Sequence, residues 1–136
     1  MADTRWRDYG ITVLRVGVGI VFLMHGWLKI SAFGLPGTTG FFTQVGVPMP
    51  SVLAPLIIAL ELVGGVAVIL GVFTRPFALG FMIDVLGAIY FTKQGGGFFA
   101  PKGYELELTL AIASAALVLT GAGAVALESV IRRRKT

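Results

Sequence analysis

Six ionisable side chains sit in stretches otherwise apolar enough for lipid. They are Arg15, His25 and Lys29 in LRVGVGIVFLMHGWLK, Glu61 in ALELVGGVAVILG, Asp84 in PFALGFMIDVLGAIYFTK, and Glu105 in GYELELTL. An ionisable group in the bilayer interior costs about 2.5–3.5 kcal/mol on insertion scales, so each must be paired, hydrogen-bonded, neutral or functional. Their types suit proton and anion chemistry. An imidazole such as His25 gains and loses a proton near neutral pH. An ammonium such as Lys29 stabilises negative charge developing on an oxygen. A membrane carboxylate such as Glu61 can pass protons. With no cysteine in the chain, disulfides, thiol redox chemistry and thiolate metal sites are excluded. No metal-ligand set is expected.

These groups must be positioned by helices. At the helical period, His25 and Lys29 lie roughly 40° apart and Arg15 roughly 40° beyond Lys29. Gly64, Gly65 and Gly71 fall within about 80° of Glu61, and small residues let neighbouring backbones approach where lipid supplies no hydrophobic drive for association. Gly80, Gly87 and Ala88 flank Asp84, for which Arg15 and the other basic groups of the first helix are the available cations. Glu105 and Glu107 project about 200° apart on a helix and cannot share a face. Glu105 aligns with Thr109, Ala116, Thr120 and Gly123 and is taken as the inward one. Glu107 is closer to Ala111 and Ser114. Glu128 falls beyond the hydrocarbon, in solvent.

The whole composition agrees with a membrane environment. Of 136 residues 56% are apolar and 13% charged, against about 25% charged in soluble domains. Four stretches approach the ~20 residues that span ~30 Å of hydrocarbon: Gly10–Ile30, Val52–Val72, Phe77–Thr92 and Tyr104–Ala124, the last continuing as helix to Ile131. The expectation is one all-α integral membrane four-helix bundle spanning residues 1–136, in contact with the lipid bilayer. Arg5 and Arg7 precede the first apolar run, but that run is too long for a signal peptide and no A-x-A site follows it. The segment SAFGLPGTTGFFTQVGVPMPS is read as a connector with a brief interfacial helix at Phe41, Phe42 and Val45, stopped by Pro48 and Pro50.

Charge sets the expected orientation. With both termini on one side, Arg5, Arg7, Arg15, Arg75 and the Arg132–Lys135 tail gather there, leaving Lys29, Lys93 and Lys102 opposite. Positive residues in short loops mark the cytoplasmic side, so both termini are expected to be cytoplasmic. Arg75 and the tail are read as topology anchors. No folded basic module accompanies the tail, so nucleic-acid binding is not expected.

The segments LRVGVGIVFLMHGWLK, GFFTQVGVPMP, ELVGGVAVILGVFTR and GGFFAPKGYELELTL, in this order, resemble the successive signatures of the DoxX family of small bacterial membrane proteins. The resemblance implies a four-helix protein of the bacterial inner membrane. It is related more distantly to the DoxD subunit associated with thiosulfate:quinone oxidoreductase, and some members are linked to redox stress. The family has no generally agreed activity. The family-like polar positions are Arg15, His25, Lys29, Glu61, Arg75 and Glu105, whereas Asp84 departs from the pattern.

Three readings of the polar set stay open. In the first, the chain is a redox-associated subunit. A quinone binds at the outer mouth between His25, Lys29 and Glu105, packed by Phe22, Trp27, Phe98 and Phe99, while Glu61 relays protons. A lone histidine cannot ligate a bis-histidine haem and no flavin or nicotinamide motif is present, so electrons would come from a partner redox subunit. In the second, the glycine faces dock another copy or other membrane subunits, and the chain is a non-enzymatic assembly module. In the third, the polar ladder conducts protons or a small solute. Arg15, Arg75 and Asp84 are assigned structural roles in the first reading.

Overall fold

The structure, a computed structural model, describes residues 4–135, and of residues 94 and 132–135 the backbone alone. It is helical throughout, with no strand among the described residues. Helix α1 (Thr4–Leu28) passes through a π-helical turn at Lys29–Phe33 into α2 (Gly34–Val45). Then follow α3 (Pro50–Leu70), α4 (Thr74–Ala88), α5 (Glu105–Thr120) and α6 (Leu127–Lys135). A second π-helical turn, Ile89–Lys93, extends α4.

The helix boundaries follow local chemistry. Pro50 opens α3 at its first position, where a missing amide donor costs nothing. Gly71, at φ +79°, closes it: the Gly71 amide donates to Val68 O and the Val72 amide to Ala67 O, satisfying two end carbonyls. Gly46, at φ +88°, ends α2 in the same way, with the Val47 amide bonding Phe42 O.

Glycines set how the helices pair. A Cβ on Gly19 would meet Ile69 and Gly65, one on Gly65 the Leu23 backbone, and one on Gly26 the Glu61 and Leu62 atoms. These falling and rising numbers run α1 and α3 antiparallel at close range. Gly64 faces Phe77 and Phe81, and Gly80 faces Leu60, which makes α3 and α4 antiparallel as well. The core is Val18, Phe22, Val68, Ala78, Phe81, Val85, Leu110, Ala111 and Leu117. At its centre the rings of Phe22 and Phe81 stack with centroids 3.9 Å apart and planes 7° from parallel. One end of the bundle therefore holds the start of α1, the α3–α4 turn and the end of α5. The opposite end holds Lys29, the start of α3 and residues 89–105.

Two expectations are corrected, the extent of the last helix and the start of the connector helix. Three helical stretches are long and apolar enough to cross a membrane: Thr4–Val45, Pro50–Leu70 and Thr74–Lys93. The fourth helix expected to span, α5, has 16 residues, roughly 24 Å at 1.5 Å per residue. It does not run to Ala124 or Ile131. Gly121, at φ +79° and ψ −155°, breaks the helix, and a non-helical link joins it to α6. The helix expected around Phe41, Phe42 and Val45 begins at Gly34, seven residues before Phe41, and is continuous with α1 through the π turn.

Candidate functional site: a lysine facing two carboxylates

The site is assembled from three helices. Lys29, at the first position of the π turn, reaches back so that its Nζ donates to Oε1 of Glu61 at 2.7 Å. Glu61 is 4% exposed, in the middle of α3. The close approach at Gly26 brings the α1 backbone against the Glu61 Cβ, so a glycine on one helix makes room for the carboxylate on the other. From α4, Asp84 is the neighbouring acid, close enough to Glu61 and Lys29 to feel both charges. Its Oδ2 is buried without a partner. Phe81 lies three residues before Asp84 and Phe22 seven before Lys29, so the Phe22–Phe81 stack is set one to two helical turns away from Lys29–Glu61–Asp84. Residues three and four apart share a helix face. The stacked rings thus form an apolar floor on the side toward the chain termini.

The arrangement has a definite chemistry. Ionised carboxylates only accept hydrogen bonds, so two carboxyls can bond to each other only when one carries a proton. One ammonium balances one carboxylate and leaves the second uncompensated, a costly state in low dielectric. One proton on either carboxyl would make the trio neutral.

The other sequence-derived site residues are placed elsewhere. His25 sits one turn before Lys29 but does not join it: Nδ1 lies 2.8 Å from the Val21 carbonyl. A carbonyl only accepts, so Nδ1 is the protonated nitrogen and a neutral ring leaves Nε2 as an acceptor. The ring borders a shallow apolar depression of about 290 Å³ lined with Met24, Trp27 and Leu28. Phe22, expected to pack a ligand ring at the mouth, is instead 1% exposed in the core. Trp27, Phe98 and Phe99 are exposed, Phe98 packing edge-on against Phe99 and Tyr104.

Glu105 is replaced as the engaged acid of α5 by Glu107. Lys93 Nζ lies 3.6 Å from Glu107 Oε1 and donates to Pro101 O at 2.8 Å, tying α4, α5 and the loop between them. The buried stripe of α5 is Leu110, Ala111, Ser114 and Leu117. Glu107 precedes that stripe by one turn, whereas Thr109 and Thr120, aligned with Glu105, are exposed. The alignment of Glu107 with Ala111 and Ser114 was the signal that could have identified it, and Lys93 was missed as its partner.

Arg15 belongs to the opposite end of the bundle. Its side chain is buried and its two terminal nitrogens donate to Ala122 O, Ile69 O and Val125 O, closing the end of α3 and the link after α5. The polar groups therefore form no continuous ladder. Arg15 caps one end, Lys29, Glu61 and Asp84 form one cluster, and His25 faces outward. Gly64 and Gly65, expected to dock a partner helix in the assembly reading, are consumed inside the bundle by Phe77, Phe81 and Leu23. Glu128 is half-buried rather than free in solvent, its Oε2 accepting the Phe73 amide at 3.1 Å. Among the described residues no group of three His, Cys, Asp or Glu side chains is placed to hold a metal ion.

A helical core with three membrane-length stretches and an ion cluster inside defines a multi-pass integral membrane protein. The chain belongs to the DoxX family, whose model matches residues 10–94. It is similar to a Bacillus subtilis protein named "Putative oxidoreductase CatD", 36% identical over 94% of this chain and 91% of that one. It is also similar to two Escherichia coli inner membrane proteins. YphA is 29% identical over 94% of this chain and 99% of its own length, and YqjF 32% identical over 93% and 95%. No solved structure matches.

Proposed function

We propose that the chain is a proton-handling subunit of a membrane redox system, working beside a quinone or a partner oxidoreductase. The observation that carries this reading is the single ammonium of Lys29 facing the carboxyls of Glu61 and Asp84. Such a trio is neutral with one proton on a carboxyl and carries one negative charge without it. Releasing or accepting that proton is a discrete electrostatic step, the kind that quinone reduction and oxidation require. The name of the Bacillus subtilis relative points toward oxidoreduction.

His25 supplies the contact point. Its outward ring, with Nε2 as acceptor when neutral and donor when charged, suits a quinol hydroxyl or a quinone oxygen respectively. Met24, Trp27 and Leu28 give the apolar surface on which the ring rests. Both termini lie on the cytoplasmic side in this reading, because Arg5, Arg7, Arg15 and Arg75 lie at one end and Lys29, Lys93 and Lys102 at the other. Mass spectrometry of the protein extracted in native lipid is the test. A quinone retained by the wild type and lost in His25→Ala supports the reading. No retained quinone and no quinone-dependent quenching of Trp27 would refute it.

A further inference from the structure

At the end of the bundle that carries the termini, a cleft of about 330 Å³ opens beside the first turn of α4. Thr74, Arg75, Gly121 and Glu128 line it. Three features mark it as built for a ligand. Thr74 is 1% exposed, yet its hydroxyl has no hydrogen-bond partner. A buried hydroxyl left unmatched costs free energy that a ligand oxygen would recover. The Arg75 guanidinium lies over Gly121, where a Cβ would come within 3.2 Å of Nε. Among the described residues no carboxylate pairs with it. Finally, Glu128 lines the same cleft without an ion pair to Arg75, its Oε2 fixed by the Phe73 amide.

A cleft that keeps an arginine and a glutamate apart fits a ligand carrying both charges. Its position narrows the class. Thr74 begins a membrane-length stretch, so the cleft sits at the depth of lipid headgroups. Leu79 on α4 and Leu119 on α5, close in sequence to the lining residues Pro76 and Thr120, are exposed and offer apolar surface for acyl chains. We propose that this cleft binds the headgroup of a phospholipid bearing a primary amine. The phosphate is held by Arg75, the Thr74 hydroxyl and the amide-rich start of α4. The ammonium is held by Glu128. This site is separate from the Lys29 cluster and stands whether or not the redox reading does.

The test is native mass spectrometry of detergent-solubilised protein supplied with phosphatidylethanolamine, phosphatidylcholine or phosphatidylglycerol, alongside thermal melts with inorganic phosphate. The wild type should retain phosphatidylethanolamine roughly tenfold better than the other two, the scale of one charged hydrogen bond. Glu128→Gln keeps an acceptor for the Phe73 amide and should erase that preference, while Arg75→Gln should weaken all three lipids. Equal retention of the three by the wild type would overturn the proposal, as would a preference for phosphatidylglycerol. Stabilisation by inorganic phosphate equal to that by phosphatidylethanolamine would also overturn it, reducing the cleft to a free-anion site. The wild-type comparison needs no variant to fold.

Discussion

The ammonium of Lys29 stands 2.7 Å from Oε1 of Glu61 across the α1–α3 seam, with the Glu61 side chain almost wholly enclosed. Removing one member of such a pair leaves an uncompensated charge in the interior, typically at a cost of about 3–5 kcal/mol. Lys29→Met should therefore lower stability by that order. Lys29→Met combined with Glu61→Gln should recover much of the loss, because no naked charge remains. Thermal melts of the two variants in detergent check this; equal losses in single and double variants would deny the coupling.

Glycine positions divide into two groups. A Cβ at Gly65 would lie 2.8 Å from the Leu23 backbone, which cannot move without parting the helices. Gly65→Leu should cost well over the ~1–3 kcal/mol of ordinary overpacking. Gly87 has open space beside it within α4, so Gly87→Ala should hold or raise the melting temperature by relieving up to ~1 kcal/mol of helix penalty. Opposite responses at these two positions test the antiparallel α1–α3 packing.

Arg15 serves three carbonyls with two nitrogens. A lysine has one nitrogen and cannot span them. Arg15→Lys should lose about 1.5–3 kcal/mol, the worth of a charged hydrogen bond. The loss should concentrate at the link after Gly121, read as faster proteolysis there. Unchanged cleavage would show that the link is held by Thr12 and Asp8 alone, which also bond the amides of Ala124 and Val125.

His25 bonds only within its own helix. His25→Ala should therefore leave the melting temperature within the ~0.5 kcal/mol typical of surface changes, while removing quinone retention. A large fall in stability would instead make His25 a packing residue.

Much of the frame was legible in the sequence, because apolar length and proline or glycine punctuation are local. The starts expected at Val52 and Phe77 fall two and three residues inside the observed starts at Pro50 and Thr74, and the polar positions Glu61 and Asp84 were visible as charges in apolar runs. What composition could not reveal is which face of a uniformly apolar helix turns inward. In α5 the small residues near Glu105 suggested one face, but packing buries Leu110, Ala111, Ser114 and Leu117 and so selects Glu107. The same ambiguity misplaced Phe22: a ring near a helix end can face lipid or the core, and only Phe81 decides it. The Lys29–Glu61 pair escaped because lysine near a helix end ordinarily snorkels outward. Here the π turn at Lys29–Phe33 and the absence of a side chain at Gly26 bring it back toward α3.

Asp84, beside the Lys29–Glu61 pair with its buried Oδ2 unpartnered, is expected to carry a proton that leaves the three groups neutral. Infrared difference spectroscopy of the wild type, Glu61→Gln and Asp84→Asn in lipid reads it directly. One protonated-carboxyl stretching band is expected at neutral pH in the wild type, abolished or shifted in each variant. A wild type showing only ionised carboxylates there, with spectra unchanged by either substitution, would contradict it.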